Sequence, residues 1–153
     1  MATNEERKEK LLDLLQKWVQ VEGFDSGFIE PIKCERVEHG KVVFSTVVQQ
    51  KQCNVLSTLH GGAIATYIDI ISSLAIISLN LDKVSPSVSV EISVNYSSSA
   101  PVDRKIYFIS NVYKTGRSLA FTDTTIRLDS EEGQIVAKGS HTKFLPIQKK
   151  SKL

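Results

Sequence analysis

Apolar residues recur along this chain at two different periods. Leu11, Leu14, Leu15 and Trp18 follow helical spacing. Thr3 and Glu6 stand before them at the spacing of a capping box, in which side chains satisfy the open amides of a helix start. Gly23 is placed to end that helix. Ile32 and Cys34 then alternate with Lys33 and Glu35, and His39-Gly40 marks a turn into "KVVFSTVVQQ", so these two runs predict a hairpin. A loop over residues 51–59 leads into a run that is apolar nearly all round, predicted as a buried helix over about residues 60–80. "SVSVEISVNY" alternates most regularly. It predicts a strand with Val88, Val90, Ile92, Val94 and Tyr96 on one face and Ser89, Glu91, Ser93 and Asn95 on the other. "KIYFISNVYK" and "SLAFTDTTIRL", joined at Thr115-Gly116-Arg117, and "QIVAKGSHTKFL", after a turn over residues 129–133, complete the strands.

The resulting order, α-β-β-α-β-β-β-β, predicts an α+β fold with an antiparallel sheet rather than a doubly wound one. A long apolar helix needs apolar surface on most of its sides, and a sheet curved around it supplies that. The open edges of such a sheet invite pairing with a second copy. We expect a single domain over residues 1–153, with the additional helix in residues 1–24 and a tail over residues 146–153.

Composition narrows the function classes. A hydrophobic fraction of 41% and a charged fraction of 24% belong to a globular chain rather than a disordered one. A net charge of +2 argues against nucleic acid as a partner and is compatible with a small anionic ligand. Cys34 and Cys53 form neither a CxxC pair nor a Cys/His cluster, so no metal site is expected and both read as plain thiols. Between residues 61 and 81 only Asp69 is charged, yet Thr66, Ser72, Ser73, Ser78 and Asn80 interrupt the run; a helix buried in protein is expected, not a membrane span. The first residues, "MATNEERKEK", lack the apolar core of a secretory signal.

The chemistry gathers at "NVLSTLHGGAIATYID". Gly61 and Gly62 let a ligand approach the backbone, and the first amides of a helix starting there have no intrahelical acceptor. With the positive end of the helix dipole they form a candidate oxyanion site, and Asn54 could add an amide donor. The glycines could equally serve tight helix–sheet packing. Asp69 is an acid in an apolar run, a place where a carboxylate could deprotonate a water or attack directly; it could also be satisfied by Ser72 or Ser73. His60 reads more readily as a structural hydrogen-bonding group at the helix start than as a general base. His39 sits in a turn, and His141 shares a strand face with Lys143, with which it could form a basic patch. His60 and Asp69 fall about half a turn out of phase on one helix, so a site using both ends of this segment would be shared between two subunits.

Four blocks in order, "NVLSTLHGGAIATYID", "SVSVEISVNYSSSA", "YKTGRSLAFTD" and "AKGSHTKFL", resemble the hotdog-fold acyl-CoA thioesterases, in particular the branch of thioesterase superfamily member 2 and the phenylacetate-pathway thioesterases. The resemblance spans residues 28–145. It implies a hotdog fold, paired subunits with sites at their interface, an acyl-CoA substrate and no cofactor. It further implies that Asn54 and the Gly61 N–H polarise the thioester carbonyl, that Asp69 of the other subunit activates or orients water, that Ser89 helps place that water and that His60 orients its neighbours. Tyr96, Ser97, Ser98 and Ser99, together with Lys114, Gly116, Arg117 and Ser118, would contact coenzyme A. Ser57 stands where many relatives have glycine, and Ser99 where relatives have proline. Ala63, Ala65 and Tyr67 are candidates for tuning the width of an acyl tunnel. A homodimer or a dimer of dimers is expected.

Two other readings stay open: a non-catalytic acyl-CoA-binding or scaffolding protein of the same fold, and a hotdog enoyl-CoA hydratase or dehydratase. Ser151-Lys152-Leu153 matches the peroxisomal address read by an import receptor, so a peroxisomal location is expected, with the cytoplasm as the alternative.

Overall fold

A computed structural model describes residues 2–146. The first helix, α1 (Asn4–Val19), carries the expected capping box: Thr3 Oγ1 accepts from the Glu6 amide, and the Glu6 side chain accepts from the Thr3 amide. A short helix, α2 (Ser26–Ile29), follows it, too brief to leave a periodic signal. The hairpin forms as β1 (Lys33–Glu38) and β2 (Lys41–Val47), with Gly40 at φ +74° in its turn. A single 3-10 turn (Gln50–Gln52) precedes the central helix, α3 (Gly61–Ile77). Four strands complete the chain: β3 (Val88–Tyr96), β4 (Lys105–Thr115), β5 (Leu119–Leu128) and β6 (Ile135–Phe144).

The strands form one antiparallel sheet in the order β1-β2-β4-β5-β6-β3. The helix α3 packs against β2 through β6, which together wrap it. Ile64, Tyr67, Ile68, Ile71 and Leu74 of α3 meet Phe44, Ile106, Phe108, Ile126 and Val136 in the core. Full burial of each such side chain contributes about 1.5–3 kcal/mol. At Gly139 the helix comes so close that a Cβ would lie 2.7 Å from Ile68 Cδ1, so β6 needs glycine there. Among the described residues no helix is long and apolar enough to cross a membrane.

The two sheet edges differ. The helix α1 packs on β1. The other edge, β3, exposes Val88, Val90 and Tyr96. Its register shifts between Ser89, paired with Lys143, and Glu91, paired with Thr142, which leaves Val90 in a bulge. The bulge corrects the simple alternation expected from the sequence. Ser89 turns to the same side as Ile92, toward α3, rather than to the opposite face.

Candidate active site

Two groups of polar residues lie at the two ends of β3. The first surrounds the start of α3. Gln52 and Tyr67 pin the preceding loop to the helix: Gln52 Nε2 donates to the Tyr67 hydroxyl at 2.9 Å, and that hydroxyl donates to Gln52 Oε1 at 3.1 Å. Tyr67 is a fully buried core residue. The Gln52 carbonyl accepts the His60 amide at 2.9 Å. Asn54 organises the loop itself. Its Oδ1 accepts from the Leu56 and Thr58 amides at 2.9 and 3.3 Å, and its Nδ2 donates to Thr58 Oγ1 at 3.0 Å. One Nδ2 hydrogen remains for a further acceptor. Ser57 has φ +55°, a conformation that favours glycine.

His60 is the N-cap of α3, and its Nδ1 accepts the Gly62 amide at 2.8 Å. That bond makes His60 a structural cap and places the proton of its neutral ring on Nε2. The Gly61 N–H meets no acceptor among the described residues. The Tyr96 hydroxyl donates to the Gly61 carbonyl at 3.1 Å and its ring covers that glycine. An open amide at the positive end of a long helix can receive a carbonyl oxygen as it gains charge.

The second group surrounds Asp69. Its side chain is 45% exposed rather than buried, and it opens into a cavity of about 430 Å³ walled by Trp18, Ile29, Ile70, Ile77, Ser89 and Lys143. Ser72 and Ser73 do not satisfy the carboxylate; both donate to the Asp69 backbone carbonyl, at 3.1 and 2.7 Å. Lys143 Nζ lies 3.6 Å from Asp69 Oδ1 and donates to Ser73 Oγ at 2.7 Å. His141 Nδ1 lies 3.8 Å from the same carboxylate oxygen. Both side chains come from β6 and are buried, so they form an inward-facing pair rather than a solvated basic patch. Burial pushes the His141 imidazole down to about 4, with the Lys143 charge acting the same way and Asp69 opposing. Asp25 brings a second carboxylate to this cavity, held above its ordinary value by burial and then by the Asp69 charge. The alternation of His141 and Lys143 along β6 could have revealed this pair; nothing in the sequence pointed to Asp25 or Trp18.

A family model described as "Thioesterase superfamily" matches residues 56–135. The mouse protein named acyl-coenzyme A thioesterase 13 is 30% identical over 137 residues, covering 90% of this chain and 95% of its own. The crystal structure of mouse thioesterase superfamily member 2 superposes with a TM-score of 0.82 at 28% identity, covering 95% of this chain and all of that one. A Streptococcus pneumoniae thioesterase protein solved with coenzyme A gives a TM-score of 0.70 at 29% identity over 79% of this chain and 90% of its own.

The chain belongs to the thioesterase superfamily. Its fold is the hotdog arrangement, a sheet wrapped around a central helix. Within one copy of this superfamily member, however, the candidate coenzyme A contacts do not meet. Tyr96 ends β3, and Ser97, Ser98 and Ser99 follow it beside Val136, whose carbonyl accepts the Ser97 and Ser98 amides at 2.9 and 3.1 Å. Lys114, Gly116, Arg117 and Ser118 lie at the β4–β5 turn, beside the opposite end of β3, because Leu119 and Val88 both pair with Phe144. Among the described residues no His, Cys, Asp and Glu side chains gather in a set that could hold a metal ion.

Proposed function

We propose that this protein hydrolyses acyl-CoA thioesters to a free acid and coenzyme A, in a site shared by two copies paired along β3. One observation carries this reading: each end of β3 holds half of the required chemistry. Gly61 and the loop of Asn54 adjoin the Tyr96 end, whereas Asp69 and Ser89 adjoin the Val88 end. The ends are about 23 Å apart from Ser89 to Tyr96. Antiparallel pairing of β3 with its own copy, about an axis near mid-strand, brings the Val88 end of one copy to the Tyr96 end of the other. The Lys114 and Arg117 turn of one subunit then approaches Ser97, Ser98 and Ser99 of the second. The exposed edge and its apolar side chains support such a pairing.

In this arrangement the thioester oxygen lies at the Gly61 N–H, with the remaining Asn54 Nδ2 hydrogen available to it. Asp69 of the other copy accepts a proton from water as the water oxygen bonds to the carbonyl carbon. The oxygen charge of the tetrahedral intermediate rests at the helix start. Its collapse breaks the C–S bond, and the coenzyme A sulfur takes the proton that Asp69 holds. The superfamily membership and the relative named for acyl-coenzyme A hydrolysis support this chemistry.

The test is coenzyme A release from a panel of short-chain, long-chain and aromatic acyl-CoAs. Hydrolysis of at least one class is expected. Tight binding of intact acyl-CoA without turnover would favour a binding or scaffolding role, and addition of water to an enoyl-CoA would favour a hydratase.

Peroxisomal import is the reading for location. It rests on Ser151-Lys152-Leu153, which lie outside the described residues, and applies where Leu153 is a free C-terminus. An N-terminal fluorescent fusion should give peroxisomal puncta that become diffuse when these three residues are deleted. A diffuse intact fusion would make the cytoplasm the default.

A further inference from the structure

His141 is only 1% exposed, whereas His39 and His60 are exposed. Both of its ring nitrogens are held. Nδ1 lies 2.6 Å from Ser72 Oγ, and Nε2 lies 2.9 Å from Ser89 Oγ. Ser72 is itself buried and donates its proton to the Asp69 carbonyl. Ser89 reaches the ring because the bulge at Val90 turns it inward. The charged groups facing this ring are Asp69 from α3 and Lys143 from its own strand, and Asp25 faces those two across the cavity. From β5, the neutral Thr122 donates to the His141 carbonyl at 2.9 Å.

The geometry points to His141 as a positioning residue for Ser89: with its proton on Nδ1 it accepts the Ser89 O–H at Nε2 and turns the Ser89 lone pairs toward the water at Asp69. The inference rests on the proposed thioester hydrolysis and adds a specific proton arrangement to it.

The direction of the chain follows from donors and charges. A hydroxyl has one proton, and that of Ser72 goes to the Asp69 carbonyl, so Ser72 Oγ accepts from Nδ1–H. The Asp69 carboxylate lies on the Nδ1 side and attracts the proton there. Burial keeps the ring neutral at working pH, which leaves the Nε2 lone pair for Ser89. Ser89, whose proton is thus occupied, presents only acceptor capacity to the cavity. A water that donates one proton to Ser89 and the other to Asp69 keeps an oxygen lone pair for the carbonyl carbon.

The order Ser89, His141, Asp69 is that of a serine nucleophile and its relay, but two features separate it from one. A contact of 3.8 Å between Nδ1 and Asp69 Oδ1 is too long for a hydrogen bond. A ring pushed down to about 4 by burial is also a poor base for removing a serine proton. His141 therefore orients Ser89 rather than activating it as a nucleophile.

The test joins a spectroscopic reading with a kinetic cycle. ¹⁵N NMR of the histidines should show His141 protonated at Nδ1 with Nε2 as acceptor, and Ser89→Ala should move the Nε2 resonance. This reading does not depend on turnover. On whichever acyl-CoA the wild type hydrolyses, His141→Phe should lower kcat about tenfold, the loss of one hydrogen bond, with KM nearly unchanged. In a Ser89→Ala background the same substitution should add little, and His141→Gln, which can still bond Ser89, should recover part of the rate. An Nε2-protonated ring, independent effects of the two substitutions, or an acyl group trapped on Ser89 would overturn the assignment. A wild type inert on every acyl-CoA would overturn thioester hydrolysis instead, and with it the role of the bond in catalysis, while the NMR still decides whether the bond exists.

Discussion

Asp69 lies about 12 Å along α3 from Gly61, at the far end of β3 from the Tyr96 hydroxyl that meets the Gly61 carbonyl. A single carbonyl group cannot contact both within one copy. Mixing Asp69→Ala protein with Asn54→Ala protein should therefore restore activity that neither has alone. Random exchange between two-fold-related subunits gives roughly a quarter of the wild-type rate, because a mixed pair keeps one intact site. Activity assays before and after subunit exchange check this. No recovery despite demonstrated exchange, or a fully active monomer by light scattering, would contradict the shared site.

The buried His141 gives the fold a defined acid sensitivity. Its folded value, about 4, lies below its ordinary 6.5, so between those values the unfolded chain binds the proton more readily. Its contribution to stability is fully present above pH 6.5 and is lost as pH falls toward 4. Denaturant unfolding across that window should show stability declining in the wild type. His141→Gln, which does not titrate, should flatten the slope. An unchanged slope in the variant would assign the acid sensitivity elsewhere.

The loop carrying Asn54 depends on the Gln52–Tyr67 contact. Tyr67→Phe keeps the ring between Phe28 and Phe108 but leaves the Gln52 amide without that partner in a buried place. The expected loss is about 1–3 kcal/mol in stability. It should appear in thermal unfolding, together with weaker turnover as the loop loosens. A variant as stable as the wild type would show that Gln52 finds another partner.

Much of this architecture was legible in the residue pattern. The capping box at Thr3 and Glu6, the turn at Gly40 and the all-round apolar run of α3 are local signals that tertiary packing reinforced. The Ser89 orientation was not legible, because a bulge is set by pairing with β6 and strict alternation puts Ser89 on the wrong face. The Asp69 environment was half legible. Its isolation in an apolar run stood out, yet its partners Lys143 and His141 come from a strand at the other end of the chain. His60 resolved to a cap, the structural option its position at a helix start favoured. The separation of the two coenzyme A segments could not be foreseen, because it depends on β6 lying between β5 and β3.

Close approach of α3 to the sheet makes Gly139 sensitive. Gly139→Ala places a Cβ within 2.7 Å of Ile68 Cδ1 and 2.9 Å of its Cγ2. Overpacking of this kind should cost about 1–3 kcal/mol, measured as a lowered unfolding midpoint. Ile68→Ala is itself costly in the core, but it removes the clash, so the double variant should lose less stability than the two single changes added together. If the double variant is no better than the sum of the two single changes, the predicted contact is wrong.

Asp69 is the group proposed to take the proton from water. Coenzyme A release should be measured for the wild type and for Asp69→Asn, which keeps the shape of the side chain and removes its basicity. The expected result is measurable hydrolysis of at least one acyl-CoA by the wild type and a loss of about a hundredfold or more in kcat for the variant, with little change in KM. An Asp69→Asn protein that hydrolyses acyl-CoA at the wild-type rate would contradict it.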